Sequence, residues 1–258
     1  YPAVNAPLDI AAWRTKCESV LREKGRLLLW LNDPCHNPTG RSLTASDRAA
    51  LLDMLRSAAK LGAVTLLLDL AYLDYTREPL EVQAALNDYA EFAAEGDVLV
   101  GAALSLSKAF TIYGARAGAL VFPWTKDDAF QAALASSCRG TFSNCARAPM
   151  SVLLRVTRDA SATQKLAAEH AHWNDVLLQR AEALDLALKH EGLVGAPWQG
   201  GFFITIECAD SFGVCDRLQA LGVFVVPMPE GLRVGVCSLR VQDAPRFAAA
   251  VKACLPAS

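Results

Sequence analysis

Two apolar runs without alternation set the strongest limit on what this chain can fold into. In Arg26-Leu27-Leu28-Leu29-Trp30-Leu31 and Val64-Thr65-Leu66-Leu67-Leu68, neither face of an extended segment is polar enough to meet water. A strand made of the second run belongs in a largely parallel sheet covered on both faces, and the first reads as a buried strand. The first run leads into a Pro/Asn/Gly cluster, the mark of a loop. Between the runs the spacing predicts a helix. Thr44-Ala45-Ser46-Asp47 places a cap hydroxyl three residues before an acid, Leu51, Leu52, Leu55 and Ala59 recur on one face, and Lys60 with Gly62 marks the end. The unit is β-α-β.

Val98 to Leu104 repeats the pattern of a covered strand, and Ala117 to Phe122 adds another after a glycine-containing turn. At least four strands therefore belong to one α/β domain. Ligands in such sheets sit beyond the carboxyl ends of the strands. From Thr163 to about His190, Leu166, Trp173, Leu177, Leu184 and Leu188 recur at helical spacing, and Gly192 follows as a stop. Beyond it, 201–206, 223–226 and 232–236 read as strands, and 215–221 and 244–253 as helical. The expected division is a large domain over 1–162, then a linking helix and small α+β domain over 163–258.

Composition removes several classes of function. The 25 basic and 27 acidic residues nearly cancel, and no basic cluster is long enough to track a phosphate backbone, which argues against nucleic acid. No apolar run approaches the roughly 20 residues of a spanning helix, and no signal pattern opens the chain, so the expected location is the cytoplasm and no membrane partner is expected. The eight cysteines include no CxxC pair and read as reduced, buried thiols. His170 and His172 are two apart on a helix and do not share a face, so no metal site is supported.

Three positions carry chemistry. Asp69 closes the second apolar strand, where an unpaired carboxylate would cost several kcal/mol; it either caps a helix, pairs with an arginine, or holds a heterocyclic nitrogen protonated, as an electron-sink cofactor requires. Lys108, one of eight lysines, follows a covered strand through Ser105-Leu106-Ser107 and brings an amine to the same sheet edge. As a nucleophile it must be neutral, which needs burial or a nearby cation to lower its pKa from about 10.4. Arg116, in Tyr113-Gly114-Ala115-Arg116-Ala117-Gly118, offers that charge and a fork suited to a phosphate.

Taken together, Asn37-Pro38-Thr39-Gly40, Asp69-Leu70-Ala71-Tyr72, Ser105-Leu106-Ser107-Lys108 and Gly114-Ala115-Arg116-Ala117-Gly118 resemble, in order and spacing, the fold-type I aminotransferases of class I. The Cys35-His36 pair and the Tyr1 to Asp9 segment resemble the aspartate and aromatic branch, and the similarity runs through the whole chain. The resemblance implies a three-layer large domain with a mostly parallel sheet, plus a small C-terminal α+β domain. It implies pyridoxal 5'-phosphate as cofactor, amino acids and 2-oxo acids as substrates, and a homodimer.

Residue by residue, the resemblance makes Lys108 the amine that joins the cofactor and later moves the proton. Asp69 pairs with the ring nitrogen, Asn37 and Tyr72 bond the phenolate oxygen, and Ser105 and Arg116 hold the phosphate. Arg233, in Leu232-Arg233-Val234-Gly235, grips the substrate α-carboxylate; taken alone it is an exposed strand residue. Arg139, in Cys138-Arg139-Gly140-Thr141-Phe142-Ser143-Asn144, resembles the arginine that meets an acidic side chain across the dimer, or forms a surface salt bridge. Phe142 stands where the family has tyrosine, which leaves the substrate class open between aspartate and aromatic types. The family's N-terminal region is missing, so the chain is expected to be inefficient alone.

Rival readings remain. Ser105 and Lys108 also fit the Ser-x-x-Lys motif of penicillin-binding proteins, but the Ser-Asp-Asn and Lys-Thr-Gly triplets are absent and that motif opens a helix. A non-catalytic aminotransferase-like binding domain, or a C–S lyase on the same fold, shares the anchors.

Overall fold

The computed structural model describes residues 6–256; Tyr1, one of the positions behind the resemblance, lies outside the described residues. Helix α1 (Ile10–Lys24) is capped by the Asp9 carboxylate, which accepts from the Ala12 N–H, and ends at Gly25 in the left-handed region. It leads directly into β1 (Arg26–Asn32). The expected helix is α2 (Ala45–Ala59), with a complete Thr44/Asp47 capping box. Then follow β2 (Ala63–Asp69), α3 (Pro79–Ala94), β3 (Leu99–Ser105), the one-turn α4 (Leu106–Ala109) and β4 (Gly118–Val121). Three helices come next: α5 (Asp128–Phe142), α6 (Arg147–Arg158) and the long α7 (Ala160–His190), which starts slightly before the expected Thr163. The chain closes with β5 (Phe203–Glu207), α8 (Ser211–Ala220), β6 (Val226–Met228), β7 (Gly231–Gly235) and α9 (Ala244–Cys254).

The first sheet has the order β1-β2-β3-β4, with β1, β2 and β3 parallel and β4 antiparallel. Its register pairs Asn32 with Asp69 and Asp69 with Ala103, so β1 and β2 finish in step and β3 runs two residues further, to Ser105. Leu27, Leu31, Val64, Leu66, Leu68, Val100 and Ala102 point to one face and pack with α1, α2 and α3. On the other face coverage is partial among the described residues: Leu67 and Gly101 are buried, the latter under the Phe122 ring, but β1 is open. Leu28 and Trp30 are 61% and 59% exposed. Helix α6 lies against α7, and no residue of α5 is buried.

The second sheet is antiparallel, in the order β5-β7-β6, and shares a core with α7, α8 and α9. Strand β6 starts at Val226, where a strand over 223–226 was expected, because the Val223 N–H bonds back to the Leu218 carbonyl and residues 223–225 are spent leaving α8. Pro227 is harmless there because β6 is an edge strand. Among the described residues no helix is long and apolar enough to cross a membrane.

A strap at 197–201 fastens the two cores together. The Gln199 N–H donates to the Gly40 carbonyl (2.8 Å), the Gln199 carbonyl accepts from the Arg77 N–H (2.9 Å), and its side-chain oxygen accepts from the Ser42 N–H (2.9 Å). Gly40 has φ +74°, and a Cβ there would stand 2.5 Å from the Phe203 carbonyl oxygen; the crossing therefore requires glycine.

Leu66, fully buried in the central strand, gives a stability test. Leu66→Ala should lower stability by about 2–5 kcal/mol, read as a lower urea midpoint. An unchanged midpoint would mean the β-α-β unit is not part of the cooperative core.

Candidate active site

The parallel strands bring the residues at and just beyond their carboxyl ends to one edge. Asp69 is the last residue of β2, and its carboxylate accepts from the Trp30 indole N–H (3.2 Å) and the Ala71 N–H (3.1 Å). The partner it needed is thus an indole and a backbone amide, not an arginine. Asn32, the last residue of β1, donates to the Asp69 carbonyl (3.1 Å) and accepts from the Asn37 N–H (2.7 Å). That pair of bonds ties the Asn-Pro-Thr-Gly loop to β2.

Asn37 faces the second sheet. Its side-chain oxygen accepts from Arg233 Nη1 at 3.3 Å, and the Arg233 guanidinium lies 4.6 Å from the centre of the Phe203 ring. Residues 196 positions apart in sequence therefore meet between the two sheets. Tyr72 is buried, with its ring edge-on to Phe202 (5.4 Å) and Phe203 (6.3 Å). Burial, helped by Tyr113 and Asp69, pushes its hydroxyl up to about 12, so at neutral pH Tyr72 is a hydrogen-bond donor.

Lys108 sits in α4, on the turn that follows β3. Its Nζ lies 4.2 Å from the centre of the Tyr113 ring and 5.8 Å from that of Tyr72. Burial holds the amine below the ordinary lysine range; Cys237 opposes this and Arg116 adds to it. The cationic help expected of Arg116 is present but ranks behind burial. The backbone of the turn is clamped from outside: the Tyr75 hydroxyl donates to the Lys108 carbonyl (3.1 Å) and His170 Nε2 donates to that of Ala109 (2.6 Å). Ser105 ends β3 without capping α4. Arg116 holds a left-handed conformation (φ +51°) and is exposed, with Nη1 donating to the Tyr113 carbonyl (2.9 Å). Ser105, Lys108 and Arg116 thus lie on one β3–β4 connection.

Arg139 does not join this group. It is exposed near the end of α5, and its Nη1 donates to the Ser143 carbonyl (3.3 Å).

Sequence reasoning missed several members of the site. Trp30, Tyr75, His170, Phe202 and Cys237 reach it by tertiary contact, and nothing in their local pattern marks them. Tyr113 appeared only as a flank of the Arg116 segment, although its place five residues after Lys108 was a usable signal. The expectation of buried thiols also needs correcting: Cys17, Cys35, Cys208, Cys215 and Cys254 are buried, but Cys145 and Cys237 are exposed and Cys138 is partly so. Cys237 lies in the turn after β7, and Cys145 lies in the α5–α6 connection, where no core element covers it.

A carboxylate, an amide, a phenol and an amine lie at or just beyond the carboxyl ends of parallel strands, and an arginine from a second sheet bonds the amide. The sequence profile of the family described as aminotransferase class I and II matches residues 5–251. The chain belongs to that family. Among solved structures it is similar to an aminotransferase from Anaerococcus prevotii, with a TM-score of 0.88 and 25% identity over 97% of this chain and 62% of that one. An aromatic-amino-acid aminotransferase from Burkholderia pseudomallei, covalently bound to pyridoxal phosphate, shares the fold with a TM-score of 0.74 and 22% identity, covering 96% and 60%. The cytoplasmic aspartate aminotransferase of Saccharomyces cerevisiae does so with a TM-score of 0.76 and 19% identity, also covering 96% and 60%. The chain therefore spans about three fifths of the length of these proteins. No curated protein sequence matches it.

Thiol chemistry tests the local packing. Burial pushes Cys35 up to about 12, and Gly200 and Gly201 press against it. Iodoacetamide at pH 8 should modify Cys145 and Cys237 in the native chain and reach Cys35 only after unfolding. Early labelling of Cys35 would contradict the packing of the strap.

Proposed function

We propose that this chain supplies the cofactor lysine and substrate arginine of a pyridoxal-phosphate-dependent aminotransferase, which moves an amino group between an amino acid and a 2-oxo acid. The observation that carries this reading is the convergence of Asp69, Tyr72 and Lys108 at one sheet edge, with Asn37 linked to Arg233 across from them. The donor set fits the group: an amine for the aldehyde, a carboxylate for the ring nitrogen, a phenol and an amide for the phenolate oxygen, and Ser105 with Arg116 for the phosphate.

When bound, pyridoxal phosphate supplies an electrophilic carbon and an electron-accepting ring. The protein residues do the rest. Asp69, kept in place by Trp30 and Ala71, presents a carboxylate that holds a ring nitrogen in its protonated form. Tyr72 and Asn37 donate to a phenolate oxygen. Arg233 takes the substrate α-carboxylate on its planar fork, which orients the Cα–H bond toward Lys108. Lys108 Nζ would accept that proton from the substrate Cα and return it to the cofactor's electrophilic carbon, on the far side of the amino nitrogen.

Finer points belong to the same proposal. Aspartate or an aromatic amino acid is the favoured substrate, in keeping with the names of the Burkholderia and Saccharomyces proteins. The exposed Arg139 guanidinium meets an acidic side chain in a homodimer. Residues 1–162 carry the cofactor side, 163–258 form the linking helix and small domain, and the protein works in the cytoplasm.

Incubation with pyridoxal phosphate, then borohydride reduction and peptide mapping, tests the central residue. A visible band and a single reduced adduct on Lys108, both lost in Lys108→Ala, are expected; adducts scattered over exposed lysines would sink the assignment. In a second test, Arg233→Ala should weaken the response of that band to amino acids by about 2–5 kcal/mol, while simple amines without a carboxylate act equally on both proteins. Equal loss for both ligand types would remove Arg233 from the carboxylate role.

A further inference from the structure

Lys108 has surroundings that work against each other. Burial and the Arg116 charge favour a neutral amine. Yet Nζ also lies within 4.2 Å of the Tyr113 ring centre, 5.8 Å of Tyr72 and 5.9 Å of Phe202. Three ring faces at such distances attract a cation through their quadrupoles and give nothing comparable to a neutral amine. Two of the rings are fixed: Phe202 is braced edge-on by Tyr72 at 5.4 Å and by Tyr75 at 4.6 Å. Tyr113 closes the third side from its own short turn and is 44% exposed. The Tyr75 and His170 bonds to the carbonyls of Lys108 and Ala109 hold the stem of the lysine while the rings surround its tip.

We propose that Tyr113, Tyr72 and Phe202 form an aromatic cage that holds the proton-bearing form of Lys108 whenever its amine is free, with Tyr113 as the chief positioning residue. This rests on the reading of Lys108 as the group that moves the proton. Such a lysine must give up its proton to bond the cofactor and hold one during transfer. Burial serves the first state, and the cage serves the second. The other charged or titratable groups that act on the amine are Cys237, from the turn after β7, and Arg116; Asp69 and Arg233 act on the neighbouring Tyr72.

The test uses the full chain without cofactor. Trace acetylation with acetic anhydride across a pH series, with peptide mass mapping, gives the protonation midpoint of Lys108, with Lys60 as internal reference. Tyr113→Phe keeps the ring and should keep the midpoint. Tyr113→Leu removes it and should raise the unprotonated fraction below the midpoint by roughly two- to fivefold. The sign separates the cage from a packing role, because loosened packing would hydrate the amine and move the midpoint up, not down. An unchanged or raised midpoint in Tyr113→Leu overturns the proposal. Because the readout needs no cofactor, a failed adduct on Lys108 would strike the functional reading without altering this result.

Discussion

The site depends on the register of three parallel strands. Asn32, Asp69 and Ala103 lie side by side in the register of β1, β2 and β3, and that alignment follows from packing their apolar faces against α1, α2 and α3. A slip of one residue in β2 would turn Asp69 toward the helical core and Leu68 toward the site. The side-chain placement is therefore inherited from burial of leucines and valines elsewhere, and the polar residues at the edge are passengers of that register.

A second constraint is the joint between the two cores. The Asn-Pro-Thr-Gly loop, the 72–75 turn and the strap at 197–201 share hydrogen bonds to backbone groups on all three segments. Cys35, Tyr72 and Tyr75 leave the first sheet in sequence but belong to the hydrophobic cluster of the second. Arg233 of the second sheet and Tyr72, on which its charge acts, thus have their supports already ordered; under the proposed function this pre-organisation would spare ordering entropy on binding.

Much of the scaffold was legible because it rests on local chemistry. The Thr44/Asp47 box, the unbroken apolar run of β2 and the stop after α7 each carry their cause within a few residues. Less legible were features set by distant partners. The true start of β6 depends on Leu218 reaching Val223, and the exposure of Leu28 depends on which elements reach that face of the sheet. In the site, residues that sit near strand ends in recognisable company (Asp69, Tyr72, Lys108, Arg116) could be picked out, whereas Phe202 reaches Lys108 from the segment before β5, whose approach no local spacing encodes. Arg139 sits at the exposed end of a helix, and the role its neighbourhood in sequence suggested needs a second chain, so its place within one chain does not bear on it.

The open face of the first sheet has a bearing on chemistry as well as on shape. Trp30 is both part of that face and the donor to Asp69. With water at the indole, the N–H to carboxylate bond is in a high-dielectric setting and competes with solvent. Whatever covers Leu28 and Trp30 would lower the local dielectric and strengthen the bond. The Asp69 carboxylate, and with it the role proposed for it, is in this way coupled to the wetting of a surface two residues back along the neighbouring strand.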